Sequence, residues 1–383
     1  MAPRRSDESS AGFGRGQAAT LAIAGILGAA WIGGTVAGKQ RFDPATGVSP
    51  LVATNVESAT PAAHLVTWDL PNLDHDRVDY WVERFTTSKR GDFTRFLERS
   101  GRYVPMISAK LEERGMPQDL IYLAMIESGF NPRAYSPAAA SGLWQFIAET
   151  GQRYGLEINR AVDERNDPEK ATDAALTYLT ELYDRFGSWY LAAAAYNTGE
   201  NRVGRIMREE TGSEKGSEES YYRIWERLPR ETRDYVPLMV AAARIAKEPH
   251  KYGFGDVELA PPLSYEEIVV DPATPLAAIA SAAGIEVSDL KALNPQLKLE
   301  RTRNDERSVV RIPPGTRTAF LVNWPTVREK ETLAIQEYRI RRGDSLLGIA
   351  RRHGVTVDEI RRENDLRGSR IIAGRTLRIP VRG

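Results

Sequence analysis

Between residues 75 and 255, apolar side chains recur at spacings of three and four, with no alternating run long enough for a strand. That periodicity restricts this part of the chain to helices packed on helices. DYWVERFTT, FTRFLERSGRYVPMISAKLEERG and ETRDYVPLMVAAARIA all carry it, as does the run from Pro168 to Phe186. Asp167 ahead of Pro168 reads as an N-cap followed by a first-turn residue, and Gly187 closes that helix. The whole chain has 383 residues, 42% hydrophobic and 27% charged, which is ample for sizeable cores and two or three domains.

Inside this helical stretch, PQDLIYLAMIESGF (117–130) places a carboxylate where a core residue is due. Pro117 suits a first helical position and Gly129 the position just past a helix end. Leu120, Leu123, Ala124 and Glu127 then fall on one stripe at i, i+3, i+4 and i+7, so Glu127 is expected to be at least half buried. Burial disfavours the charged form and raises a carboxyl pKa, which is how a protein keeps a protonated acid near neutral pH. A buried Glu neutralised by Arg133 or Arg153 fits the same helix. Three more segments carry polar or aromatic residues in unusual settings. SPAAASGLWQF (136–146) delivers Trp144 and Gln145 from a small-residue loop, DERNDP (163–168) groups acids with an Arg before a helix, and LAAAAYNTGENRV (191–203) ends an alanine run in Tyr196, Asn197 and Gly199. Taken singly, each also reads as packing: an anchoring Trp, a capping loop and an ordinary helix end.

Composition narrows the chemistry. Fifty-two basic and 52 acidic residues balance to no net charge, so nothing overall points to nucleic acid. With no Cys there is no disulfide, thiolate metal site or Cys nucleophile, and four scattered His argue against a metal; neither metal nor cofactor is expected. Arg4, Arg5 and Arg15 precede an uncharged span at residues 18–38, which reads as an export signal, either cleaved or kept as a membrane anchor. The expected layout is a signal or anchor over 1–40, a linker over 41–74 and a helical domain over 75–255.

Beyond residue 255 the chain repeats itself. Leu276, Ile279, Ala280, Gly284, Ile285, Val287, Leu290 and Asn294 match Leu346, Ile349, Ala350, Gly354, Val355, Val357, Ile360 and Asn364 at a constant offset of 70. The second copy reads strand YRIR, turn RGD, helix SLLGIARRHG, a second helix begun by the Thr356–Glu359 capping box, and strand TLRIPV, a βααβ order. The copies span 262–315 and 337–382, with 316–336 read as a linker. The segment 337–383 holds 12 Arg against 6 acids and is a basic module.

Taken in order, IESGFNPRAYS, SGLWQF, TGQRYGL, DERNDPEKAT, RFGSWYLAAAAYNTGENRV and LPRETRDYVP resemble the soluble lytic transglycosylase family, in particular its membrane-bound type D branch. The resemblance implies an all-α, goose-type lysozyme-like catalytic domain in a multidomain chain. It also implies that Glu127 is the catalytic acid and base, that Ser128 and Gln145 contact the sugar, that Tyr196 hydrogen-bonds the catalytic Glu and that Asn197 lines the cleft. Ala139 departs from the Gly frequent in that family. The implied reaction cleaves the MurNAc–GlcNAc bond of peptidoglycan without water, the muramoyl 6-hydroxyl closing onto C1. The second repeat resembles the LysM module, which implies sugar binding by Gly343, Asp344, Ser345, Asn364, Leu366 and Ile371. The first copy has Ala273-Thr274-Pro275 in place of Gly343-Asp344-Ser345 and reads as a degenerate LysM-like fold, either sugar-binding or a spacer. The alternatives are a goose-type muramidase using water on the same bond and a non-catalytic peptidoglycan-binding scaffold. The implied setting is the cell envelope, with peptidoglycan strands as partner and, if the N-terminal span is kept, the membrane.

Overall fold

The computed structural model describes residues 67–333 and 335–380. The apolar span at 18–38 and most of the 41–74 linker lie outside the described residues. Among those described, no helix is long and apolar enough to cross a membrane. The chain divides into a helical unit that runs to Leu263 without Asn159–Val162, and a second unit made of Asn159–Val162 and the chain from Ser264 onward.

The helical unit contains α1 (Asp76–Thr86), α2 (Arg90–Glu113), α3 (Ile121–Ser128), α4 (Ala148–Arg153), α5 (Pro168–Phe186), α6 (Trp189–Thr198), α7 (Glu200–Thr211), α8 (Glu218–Ile224) and α9 (Arg230–Lys247). The expected ends are seen. Asp167 accepts from the backbone N–H groups of Glu169 and Lys170 with Pro168 at the first turn, and Gly187 closes α5 at φ 69°. The start of α6 is capped twice, by Ser188 on Leu191 and by the Glu218 carboxylate on the N–H groups of Trp189 and Tyr190. A helix start buried this deeply would otherwise leave its first donors unbonded. The run Ala192–Ala195 is fully buried, and these small side chains let α6 pack closely on α5, α7 and α9.

The expected single helix over 117–128 is instead a 3₁₀ turn, Gln118–Leu120, leading into α3. Gly129 ends α3 at φ 58°, and a Cβ there would meet the Phe96 ring at 2.1 Å, so only glycine fits. Both expected domain boundaries shift. Ala260 and Leu263 donate backbone hydrogen bonds to Glu98 and Arg102 on α2, which extends the helical unit past 255. At the other end, the buried Asp119 carboxylate accepts the N–H groups of Asp69 and Leu70, which brings residues read as linker into the unit.

The second unit repeats one motif. β1 (Glu266–Val270) pairs antiparallel with β2 (Ser308–Ile312), enclosing α10 (Leu276–Ala283) and α11 (Val287–Leu293) in sequence. β3 (Ile335–Arg339) pairs with β4 (Thr376–Pro380), enclosing α13 (Leu346–Arg352) and α14 (Val357–Glu363). The Thr356–Glu359 capping box forms as expected. The stretch 316–336 is not a linker: Arg317–Leu333 is a helix, α12, packed on α10 with Phe320 buried. Pro325 in its middle reads as a breaker, yet Phe320, Trp324 and Val327 at i, i+4 and i+7 hold the helix to the first module's core.

Candidate active site

Glu127 sits in the last turn of α3, a helix buried on nearly every side, and is 8% exposed. Its Oε1 accepts a hydrogen bond from the Tyr235 hydroxyl at 2.5 Å. Burial pushes the carboxyl pKa up from 4.5 to about 8; the Tyr235 bond pulls it down and the neighbouring Glu231 carboxylate pushes it further up. A carboxyl so placed holds its proton at neutral pH and can also release it there. The neutralising-Arg reading finds no support: no cation is among the groups that shift the Glu127 carboxyl, and Arg153 pairs with Glu200 at 3.3 Å and with Glu181 at 3.7 Å.

Tyr235 is a correction to the sequence reading, which gave Tyr196 the bond to Glu127. The Tyr196 hydroxyl donates to the Trp144 carbonyl at 2.7 Å instead. Tyr196 is fully buried, and its hydroxyl pKa is raised by burial first and then by the nearby Glu127. Tyr235 is also fully buried and kept neutral by burial, then by Glu127 and Tyr196. In α9, Thr232, Tyr235, Val236 and Met239 repeat at i, i+3, i+4 and i+7, so the buried face bearing Tyr235 was visible in LPRETRDYVP. Glu231 stands one turn before Tyr235 on that helix and is the second carboxylate the sequence reading missed.

The other expected site residues are buried, and their polar groups bond elsewhere in the protein. Ser128 donates its hydroxyl to the Leu143 carbonyl at 2.8 Å, tying α3 to the SGLWQF loop. Gln145, in left-handed backbone at φ 49°, donates its amide to the carbonyls of Ala134 and Gly142. Trp144 is buried with its indole N–H on Thr172, so its anchoring role holds. Asn197 accepts the Thr232 hydroxyl at 2.8 Å and thereby fixes the start of α9, on which Tyr235 rides.

The DERNDP acids are committed to architecture. Asp163 pairs with Arg165 at 2.7 Å, and the Arg165 guanidinium also donates to the carbonyls of Ala139 and Phe146. Glu164 accepts from the Glu157 N–H and from Lys170, and Asp167 caps α5. Gly142 is squeezed against this element: a Cβ there would lie 1.7 Å from the Arg165 carbonyl oxygen. DERNDP is therefore the buttress of the loop that presents Gln145.

In the second module the expected sugar residues divide in the same way. Asp344 accepts from the Tyr338 hydroxyl, the Arg341 N–H and Arg352, which together hold its pKa below the ordinary carboxylate value. Ser345 caps α13, and Gly343 forms the turn before it. Asn364 donates to the carbonyls of Ile360 and Arg378 and accepts the Arg378 N–H, pinning α14 to β4. Its amide is spent on the fold rather than offered to a sugar. Leu366 and Ile371 are partly buried against the module's core.

Comparison with known proteins follows the same division. Residues 105–218 match the family model described as Transglycosylase SLT domain, 264–328 that described as Lytic transglycosylase MltD, LysM-like domain, and 338–380 that described as LysM domain. The membrane-bound lytic murein transglycosylase D of Escherichia coli (strain K12) is 32% identical over 292 residues, covering 73% of this chain and 64% of that protein. The chain thus spans just under two thirds of that relative's length. The soluble lytic murein transglycosylase of the same strain is 29% identical over 169 residues, 43% of this chain and 23% of that protein. The crystal structure of the 70 kDa soluble lytic transglycosylase of Escherichia coli aligns at 25% identity and a TM-score of 0.35, over 47% of this chain and 29% of that one. The segment around Glu127 is accordingly similar to the transglycosylase SLT domain, and the segments after it to an MltD-type LysM-like module and a LysM domain.

Proposed function

We propose that the chain is a peptidoglycan lytic transglycosylase that cleaves the MurNAc–GlcNAc β-1,4 bond and leaves 1,6-anhydroMurNAc ends. The observation that carries this reading is the buried Glu127 carboxyl with its pKa near 8, while Asp163, Glu164 and Asp167 are consumed by capping and ion pairs. Glu127 protonates the bridge oxygen as the bond breaks, then takes the proton from the muramoyl 6-hydroxyl as that oxygen closes onto C1. Proton count balances without water or a cofactor, because the substrate supplies its own nucleophile held nearby. Tyr235 orients the carboxyl and stabilises its charged form between the two steps. Ser128, Gln145, Tyr196 and Asn197 hold the SGLWQF loop and α9 in place around the acid, and the C-terminal modules hold the enzyme to the wall polymer. The relatives' description as membrane-bound supports an envelope location, with residues 18–38 as the anchor.

The experiment is mass spectrometry of digested sacculi, which should give muropeptide ends that resist borohydride and weigh one water less than lysozyme products. Glu231 favours one rival: a second carboxylate near an acid is what a muramidase needs to activate water. Reducible muramic acid ends as the main product would establish that rival, and Glu231→Gln should then abolish activity.

A further inference from the structure

The second unit holds a groove of about 1030 Å³ that the proposed reaction leaves unused. Its first wall is the β1–α10 loop at 271–275 with Arg301 and Asn304; its second is α14 with Leu366 and Arg367 just beyond it. The first wall is firm: Thr274 and Thr302 exchange hydrogen bonds, and the Leu276 N–H donates to the Glu300 carbonyl at 2.9 Å. Trp324 of α12 also lines the groove, its ring stacked on buried Phe320 at 5.0 Å between centroids.

Two guanidinium groups meet here with donors to spare. Arg362 donates to Asn304 at 3.0 Å and to the Asp358 carbonyl, but its Nη2 is buried without a hydrogen-bond partner. Arg301 lies 3.6 Å from Glu359 through Nη1, and its Nε is likewise buried and unpartnered. Three further cations of the lining are matched, Arg328 by Asp271 at 2.6 Å, Arg361 by Asp358 at 3.1 Å and Arg378 by Glu363 at 3.1 Å. Burial and, after it, the charge of Arg301 both disfavour the charged state of Arg362. Two cations that line one groove and repel each other are relieved by an anion with acceptor oxygens seated against them. Guanidinium forks match carboxylates, and an indole face suits the apolar face of a sugar ring.

We propose that this groove is a second glycan site that takes an acidic amino sugar, its carboxylate on Arg301 and Arg362 and its ring against Trp324. The inference rests on the wall-binding reading above and adds a preference for muramoyl glycan over neutral N-acetylglucosamine chains. It also gives the first module a use for a loop in which Ala273-Thr274-Pro275 replaces Gly-Asp-Ser. The carboxylate has two sources in wall polymer: the lactyl group of peptide-free strands and the stem peptides of substituted ones.

The test uses the full chain carrying Glu127→Gln, so that no probe is cut, and the same protein with Arg301→Gln and Arg362→Gln added. Calorimetric titration takes three tetrasaccharides: neutral N-acetylglucosamine, peptide-free muramoyl glycan and peptide-bearing muramoyl glycan. Contributions from the catalytic cleft are common to both proteins and cancel in the comparison. The double substitution should weaken at least one acidic probe by about tenfold or more and leave the neutral one within about twofold, as expected for losing charge-assisted bonds. Whichever acidic probe loses more names the carboxylate. Asn304→Ala removes the tie to Arg362 but keeps both guanidiniums, and should retain the acidic preference. Equal losses on neutral and acidic probes, no loss on either acidic probe, or loss of preference in Asn304→Ala would each overturn the proposal while leaving wall binding intact. Failure of every probe to bind the reference protein would remove wall binding as well.

Discussion

Glu127→Gln should abolish cleavage and, at the same time, make the helical unit more stable than the unsubstituted chain in alkaline solution. The substitution is nearly isosteric, and the amide oxygen can still accept from the Tyr235 hydroxyl. What it removes is a titration. The carboxyl titrates at about 8 in the folded state against 4.5 ordinarily, mainly because burial excludes the charge from water. Below 4.5 both folded and unfolded chains hold the proton, and no stability is lost. Between 4.5 and 8 the unfolded chain has released a proton that the folded chain retains, so stability falls as pH rises, at ~1.36 kcal/mol per pH unit. The full window amounts to ~5 kcal/mol, constant above it, and glutamine escapes all of it. For a unit of this size that corresponds to a rise in Tm on the order of 10 °C. Thermal melts of both proteins by far-UV circular dichroism at about pH 4 and about pH 9 read it directly, with coincidence expected at the lower pH and separation at the higher. Melting curves that keep one fixed separation at every pH would show that Glu127 ionises like a surface carboxylate, and the proton-holding role would fall. Cleavage of purified sacculi should drop by at least ~100-fold in the same variant.

Tyr235→Phe removes the bond that favours the carboxylate, so the alkaline limb of the pH–rate profile should move to higher pH while turnover falls by ~10- to 100-fold; a limb moving to lower pH would contradict the assignment. Ala139 occupies left-handed backbone at φ 61°, and Ala139→Gly should gain ~1 kcal/mol in denaturant titration through relief of that strain. Arg165→Ala strands the buried Asp163 carboxylate and frees the carbonyls of Ala139 and Phe146, so a loss of ~3 to 5 kcal/mol is expected, with activity falling as the Gln145 loop loosens.

The helical unit was legible because its signals are local. Apolar spacing, Asp167 before Pro168 and Gly187 after Phe186 each act within a turn or two, and the structure uses them as read. Glu127 was legible for the same reason, as an acid on the apolar stripe of its own helix. Its partner was not, since Tyr235 lies 108 residues away and only the packing of α9 on α3 brings the two together. The domain edges failed on the same ground: Asp119 draws in Asp69 and Leu70 from 50 and 49 residues away, which no linker composition announces. The stretch 316–336, read as a linker, holds α12 because Phe320 and Trp324 pack on the first module's core, a contact that its own composition does not announce.

The sequence held the means to read Asn364 as a residue of the fold. The repeat places Asn294 at the matching position, and the two side chains do the same work. Asn294 donates to the carbonyls of Leu290 and Arg311 and accepts the Arg311 N–H, as Asn364 does with Ile360 and Arg378. The two copies share this Asn while differing wholly at Ala273-Thr274-Pro275 and Gly343-Asp344-Ser345. Residues required by the βααβ fold must appear in both copies, whereas residues required by one ligand need appear only in the copy that binds it. By that reasoning the amide belongs to the fold in each module, and the differing loops are free of that constraint.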